Sequence, residues 1–168
     1  MLKWFRFVVV VAVVVLAGFV LCEDAHAEHA IGASIGSTKG VGATYRNLSD
    51  SSPWGWSVTG VPVVYPDGGF VSLGASAYYI FHKGNAGFAY ASAGAGGAYN
   101  WQMCDEENAD WCEEDTWLGV GFGPSIGFEI RLVENFGWSV ELPIAILFDD
   151  GEFEGVLPIP NSSLVYFW

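Results

Sequence analysis

The stretch WLGVGFGPSIGFEIRL, Trp117 to Leu132, constrains this chain more than any other. Its odd positions read Trp117, Gly119, Gly121, Gly123, Ser125, Gly127, Glu129 and Arg131. Its even positions read Leu118, Val120, Phe122, Pro124, Ile126, Phe128, Ile130 and Leu132. Successive side chains of a β-strand point to opposite faces, so strict alternation of this length is a strand with two unlike faces. One face is small and polar; the other is apolar throughout. Strands of soluble sandwiches also alternate, but their polar face is solvated and rarely built from glycine. Here the small face reads as packed or confined.

The same period recurs along the chain, over 30–37, 41–46, 54–59, 71–82 (Ile80 excepted), 89–96, 138–148 and 156–168. With 117–132 that makes eight expected strands. Turn-forming clusters separate them: TKG at 38–40, NLSDSSP at 47–53, YPDGG at 65–69, KGN at 83–85, the acidic segment 104–116, VEN at 133–135 and DDGEFEG at 149–155. Pro158 and Pro160 predict an imperfect ladder at the start of the last strand.

The N-terminus reads as a leader. Lys3 and Arg6 precede an unbroken apolar run from Phe7 to Leu21, and Ala25-His26-Ala27 follows. A basic start, a short apolar core and an A-x-A site predict a secretory signal peptide over 1–27, cleaved after Ala27. The run is short for a spanning helix, which needs about 20 apolar residues. An uncleaved anchor and a lipoprotein modified at Cys22 stay open as alternatives. The remainder, 28–168, is enough for one domain. In an oxidising compartment its two cysteines, Cys104 and Cys112, are expected to pair across CDEENADWC. No histidine stands near them to suggest zinc. A formal net charge of −13 argues against nucleic acid, whose phosphates demand a basic surface.

An even set of alternating strands, apolar on one side and small or polar on the other, predicts an all-β fold. The expected form is an eight-stranded antiparallel up-and-down transmembrane β-barrel. In lipid every backbone group must be paired internally, so the sheet must close. The chain ends on SSLVYFW, which puts Leu164, Tyr166 and Trp168 on one face of the last strand. In this ending the chain resembles small Gram-negative outer-membrane barrels of the OmpX and OmpA type, which finish on an aromatic residue with apolar residues two and four positions before it. That resemblance implies an outer-membrane location, contact with membrane lipid and assembly as a monomer. It also implies that Leu164, Tyr166 and Trp168 form a C-terminal signal read by the barrel-assembly machinery.

Strands that start and end in the periplasm put 38–40, 65–69, 104–116 and 149–155 outside. An acidic rim is then expected from Asp105, Glu106, Glu107, Asp110, Glu113, Glu114, Asp115, Asp149, Asp150, Glu152 and Glu154, with Lys39 as the one base among them. Such a rim attracts cations and could bind divalent ions weakly, although DEENADWCEED lacks EF-hand spacing. No cofactor is expected. Arg46, Glu129, Arg131 and Glu141, with His82 nearby, are expected to form a polar, salt-bridged cluster in the lumen. Ser57, Thr59, Ser72, Ser76 and Tyr78 extend it, and the inward glycines leave room for larger groups or waters. Beyond the leader the only histidines are His29 and His82, and neither is followed by a serine that would suggest a hydrolase. The expected function is therefore structural or surface-interacting, neither enzyme nor diffusion pore. An exported soluble β-barrel carrying lipid or a small molecule is the alternative, and an outer-membrane lipid-modifying enzyme the more distant one.

Overall fold

The computed structural model describes residues 27–49, 51–66, 68–84, 86–102 and 116–168. Among them are ten strands and no helix: β1 (Ala27–Gly36), β2 (Gly40–Ser49), β3 (Trp54–Tyr65), β4 (Gly68–Gly84), β5 (Gly87–Gln102), β6 (Thr116–Val133), β7 (Phe136–Pro143), β8 (Ala145–Asp149), β9 (Glu152–Leu157) and β10 (Asn161–Phe167). Every pairing is antiparallel. β7 and β8 both lie along β6 and form one stave, interrupted at Ile144, whose N–H donates to the Pro124 carbonyl at 2.9 Å. β9 and β10 form another, broken where Pro158 and Pro160 lack the N–H that a ladder uses. The β1–β10 ladder closes the sheet into an eight-stranded barrel.

The register gives the stagger of that closure. From Ala33, partners run one way through Ala43, Gly60, Leu73 and Gly97 to Val120 on β6. The other way they run through Leu164 and Trp138 to Ile130, also on β6. Val120 and Ile130 lie ten positions apart, which is the shear of the barrel. An offset of this size tilts the strands by roughly 35–45° and leaves a lumen that side chains can fill.

Several elements run further than the sequence pattern predicts. β2 continues through Asn47 and Leu48, β3 to Tyr65 and β5 to Gln102. The acidic segment 149–155 is a hairpin: Asp150 (φ 46°) and Gly151 (φ 87°) make the turn, and Glu152 and Glu154 lie on β9. Asp-Gly between strands is a strong signal for a two-residue turn with positive φ at both positions. The acids on both sides of Asp150-Gly151 mask that signal in the sequence.

The outward face is apolar around the circumference. Ile31, Ile35, Leu73, Phe122, Ile126, Phe128, Leu142, Ile144 and Leu164 are all exposed, Ile126 by 68%. Exposed tryptophans and tyrosines gather toward the two ends. Trp54, Tyr79, Trp138, Tyr166 and Trp168, with Phe81 and Phe136, lie toward the end that holds Ala27 and Trp168, and Tyr65, Tyr99 and Trp117 toward the far end, with Phe122 and Phe128 on the wall between.

The β1–β2 turn departs from its expected place. It does not project outward; the hairpin tip, Ser37–Gly40, bends into the lumen. Gly40 takes a φ of +74° that favours glycine. A Cβ built at Gly74 or Gly96 would collide with the Lys39–Gly40 backbone; one at Gly94 would meet the Thr38 carbonyl, and one at Gly121 the Ser37 carbonyl. The inward glycines of β4, β5 and β6 are therefore the seat of a backbone plug. Thr38 and Lys39 are buried as a result.

Adjacent positions on β5 separate this role from glycine content alone. Gly96 faces the tip; a Cβ at the outward Gly97 meets nothing closer than 3.2 Å. Gly96→Ala is expected to lower unfolding stability by about 1–3 kcal/mol, as overpacking does, and Gly97→Ala by much less. Urea unfolding of the two variants, followed by tryptophan fluorescence, measures the difference.

Candidate functional site: the plugged lumen

Beneath the tip the lumen holds a ladder of charges. Lys39 Nζ lies 2.5 Å from Glu141 Oε1, and both side chains are nearly inaccessible. Arg46, on β2, donates to Glu129 on β6, again fully buried. Arg131 donates to Glu28 at 2.7 Å and lies 3.5 Å from the second oxygen of Glu129. Tyr78 joins the two halves: its ring lies 4.9 Å from Lys39 Nζ and 5.2 Å from the Arg46 guanidinium. Three bases face three acids, so the set is neutral. A balanced and hydrogen-bonded set is the form in which buried charge is tolerable.

Strand alternation positions each member. Arg46, Glu129 and Glu141 fall on inward positions of β2, β6 and β7, where neighbouring strands supply ion-pair and hydrogen-bond partners, although Arg46 Nε makes no hydrogen bond. Arg46 also donates to Ser139 Oγ at 3.3 Å. Ser125 Oγ and Asn161 Nδ2 donate to Glu141 Oε2 at 3.3 and 3.4 Å. Asn161 Nδ2 also donates to Thr38 Oγ1 at 2.8 Å, which ties the tip to β10. Hydroxyl pairs continue the polar interior: Ser57 with Tyr78 at 2.6 Å, Thr44 with Thr59 at 3.0 Å, and Ser92 with Ser125 at 2.5 Å.

The terminal end of the lumen is apolar instead. Leu48, Ile80, Phe88, Val165 and Phe167 pack there, and the Arg131 guanidinium stacks 3.5 Å from the Phe167 ring centre. Ile80 looked like an exception to the alternation of β4; it is an inward residue, 6% exposed, filling this cluster. A bulge then shifts the register between Ile80 and His82. His82 is consequently exposed near the β4–β5 turn and does not join the lumen charges, contrary to expectation. Lys39 is the opposite case: expected on the outer rim, it lies inside.

Of the expected rim, Asp149, Asp150, Glu152 and Glu154 gather around the β8–β9 hairpin, where Asp150 accepts from the Leu118 N–H at 3.0 Å. Asp105, Glu106, Glu107, Asp110, Glu113, Glu114 and Asp115 lie outside the described residues, as do Cys104, Cys112 and residues 1–26 of the expected leader; Ala27 begins β1. Leu164, Tyr166 and Trp168 face outward. Trp168 donates its backbone N–H to the His29 carbonyl at 3.1 Å and stacks on the His29 ring. His29 Nδ1 is paired with the Tyr45 hydroxyl at 2.8 Å and lies 3.5 Å from Asn47 Nδ2, so its partners include no serine nucleophile.

No protein-family model matches the chain, and no curated protein matches it. Among solved structures, the N-terminal β-barrel domain of Pseudomonas aeruginosa OprF superposes on 84% of this chain and 96% of that domain. The TM-score is 0.50 and the sequence identity 13%. The two share the eight-stranded closed barrel, and the likeness extends to the fold alone.

The charge ladder makes a double-mutant prediction. Lys39→Met alone strands Glu141 in the lumen and is expected to cost about 3–5 kcal/mol, the loss typical of breaking a buried pair from one side. Glu141→Leu combined with Lys39→Met is expected to recover a large part of that loss. Equal destabilisation by the single and double variants in urea unfolding would remove the pairing from the account.

Proposed function

We propose that this chain is a small outer-membrane β-barrel of the Gram-negative envelope, with a structural or surface-interaction role. Its own β1–β2 hairpin closes it to bulk solutes. One observation carries the reading: the packing is inverted. Large apolar residues such as Ile126, Leu142 and Ile144 are exposed on the wall, while Arg46, Glu129, Glu141 and Lys39 are buried inside it. Water would not tolerate so broad an apolar belt on a monomer. A bilayer asks for that belt, with aromatic residues at its margins and every spanning backbone group paired within the sheet.

The runner-up, an exported soluble carrier, requires the apolar face to line a cavity and the small face to meet solvent. That orientation conflicts with the buried ion pairs. A catalytic role has less support: His29 is engaged by Tyr45, and His82 stands exposed at a turn.

In a bilayer the terminal end would face the periplasm and the β8–β9 hairpin the exterior. The acids of that hairpin would then draw cations or basic segments to the surface, as a concentrated negative field does. The tip supports the non-pore reading. It fills the middle of the lumen with backbone, and Lys39–Glu141 and Thr38–Asn161 hold it there.

Two measurements test the proposal. Ile126→Arg, near mid-wall, is expected to destabilise the bilayer-inserted barrel by about 2–4 kcal/mol; tolerance of that charge in urea unfolding from vesicles would contradict a lipid-facing wall. The wild-type protein in planar bilayers is expected to show no sustained single-channel conductance, and a steady open state would contradict the plug.

A further inference from the structure

The wall is not complete at every height. β1 and β2 turn inward at Gly36 and Gly40, while β4, β5 and β6 continue. Beyond Gly60, β3 pairs only with β4, and β9 pairs only with β8. Among the described residues no strand joins β3 to β9, so a lateral gap stands above the hairpin tip. Its height can be read from the aromatic zones. Past Ile31, the partner of Tyr45, β1 offers only Ala33 and Ile35 before turning in. Past Tyr79, β4 offers Ala77, Ala75, Leu73 and Val71 before the far aromatic zone at Tyr99, the partner of Val71. The gap therefore opens in the far half of the apolar belt. Its margins are apolar and exposed: Ile35, Val64, Val156, Leu157 and Ile159. Pro62, Pro158 and Pro160 fall on the segments that edge it, where they reduce the unpaired N–H groups left in an apolar medium.

Behind the gap lies a cavity of about 460 Å³, floored by the tip at Gly36, Ser37 and Gly40. Trp117, Leu147 and Ala98 line its interior, and Ile159 and Pro160 its mouth. The volume falls in the range of small-ligand pockets, roughly 300–1,000 Å³. We propose that this cavity binds one lipid alkyl chain, which enters sideways from the surrounding leaflet through the β3–β9 gap. The inference rests on the membrane reading above. The chemistry is packing: a chain entering from the leaflet passes from one apolar medium to another, and its gain is the dispersion contact of a carbon-lined slot that water fills poorly, while the slot offers no fixed cation for an anionic headgroup. The acids of the β8–β9 hairpin, including Glu154 on the lining, favour a neutral or zwitterionic head at the mouth.

Trp117, 40% exposed, lies on the inward face of β6 at the cavity with its ring over the inward Gly119, while Trp54, Trp138 and Trp168 lie on the outward face. The test is tryptophan emission in vesicles of chain-brominated phosphatidylcholine against unbrominated vesicles. The Trp117 part is isolated as wild type minus Trp117→Phe. Bromine within contact distance is expected to remove most of the Trp117 emission. Filling the slot by Ala98→Phe or, independently, Leu147→Phe is expected to restore it, with folding of each variant checked by its mobility in unheated SDS. Adding chain-brominated fatty acid to unbrominated vesicles distinguishes the source: quenching there alone means a free chain, and quenching by the phospholipid means a bilayer lipid. Outward tryptophans quenched with Trp117 emission unchanged in both arms would overturn the cavity assignment and leave the membrane reading intact. Quenching that survives both filling variants would also overturn it. Absence of quenching at the outward tryptophans would overturn the membrane reading and this inference with it.

Discussion

Seating a turn of backbone inside an eight-stranded barrel is the constraint on which the rest of this structure depends. A lumen of this width is ordinarily filled by side chains. Here the β1–β2 tip occupies its middle, and the wall must yield the volume that side chains would have used. Gly74, Gly94, Gly96 and Gly121 provide it at the points where the tip touches β4, β5 and β6. The polar chemistry follows from the same event. A tip brought indoors carries Lys39 and Thr38 with it, and Glu141 and Asn161 answer them. The short first hairpin also leaves β3 and β9 without a common neighbour, which creates the gap and the cavity behind it.

Charge is partitioned accordingly. Lys39, Arg46 and Arg131 are held in the lumen with Glu28, Glu129 and Glu141, and Lys83 is exposed at the end of β4. This set is thus neutral, and among the described residues Asp149, Asp150, Glu152 and Glu154 gather around the β8–β9 hairpin instead. The proposed closure to solutes draws on this arrangement: an ion entering would have to compete with the Lys39–Glu141 and Arg46–Glu129 contacts already made. Arg46, fully buried, has more at stake than Arg131, which keeps partial access to water at the terminal end. The cation–aromatic contacts through Tyr78 connect the two halves of the ladder without adding charge.

Much of the architecture was legible in the period of the sequence. Trp117–Leu132 declared two unlike faces, and the structure keeps that alternation along β6. Inward placement of Arg46, Glu129 and Glu141 follows from the same parity. The plug was not legible, because parity says which face is small but not what fills the space. A run of inward glycines is equally consistent with water, with large side chains opposite or with backbone; only the pairing register shows that β1 and β2 stop short. Lys39 was misplaced for that reason. His82 was misplaced because a bulge resets parity, and no residue at 80–82 announces one. The Asp150-Gly151 turn was announced, but the surrounding acids disguised it as a loop.

The most direct test of the central claim, a closed barrel with its apolar face outward and its charges inside, is electrophoretic mobility in SDS. Protein extracted from the outer-membrane fraction is run unheated and boiled. The account predicts two positions: a compact, faster band before heating and an unfolded band after it, because detergent replaces lipid on the wall without breaching the closed ladder or the buried pairs. A single position regardless of heating, from protein recovered in the soluble periplasmic fraction, would contradict it and turn the apolar face inward.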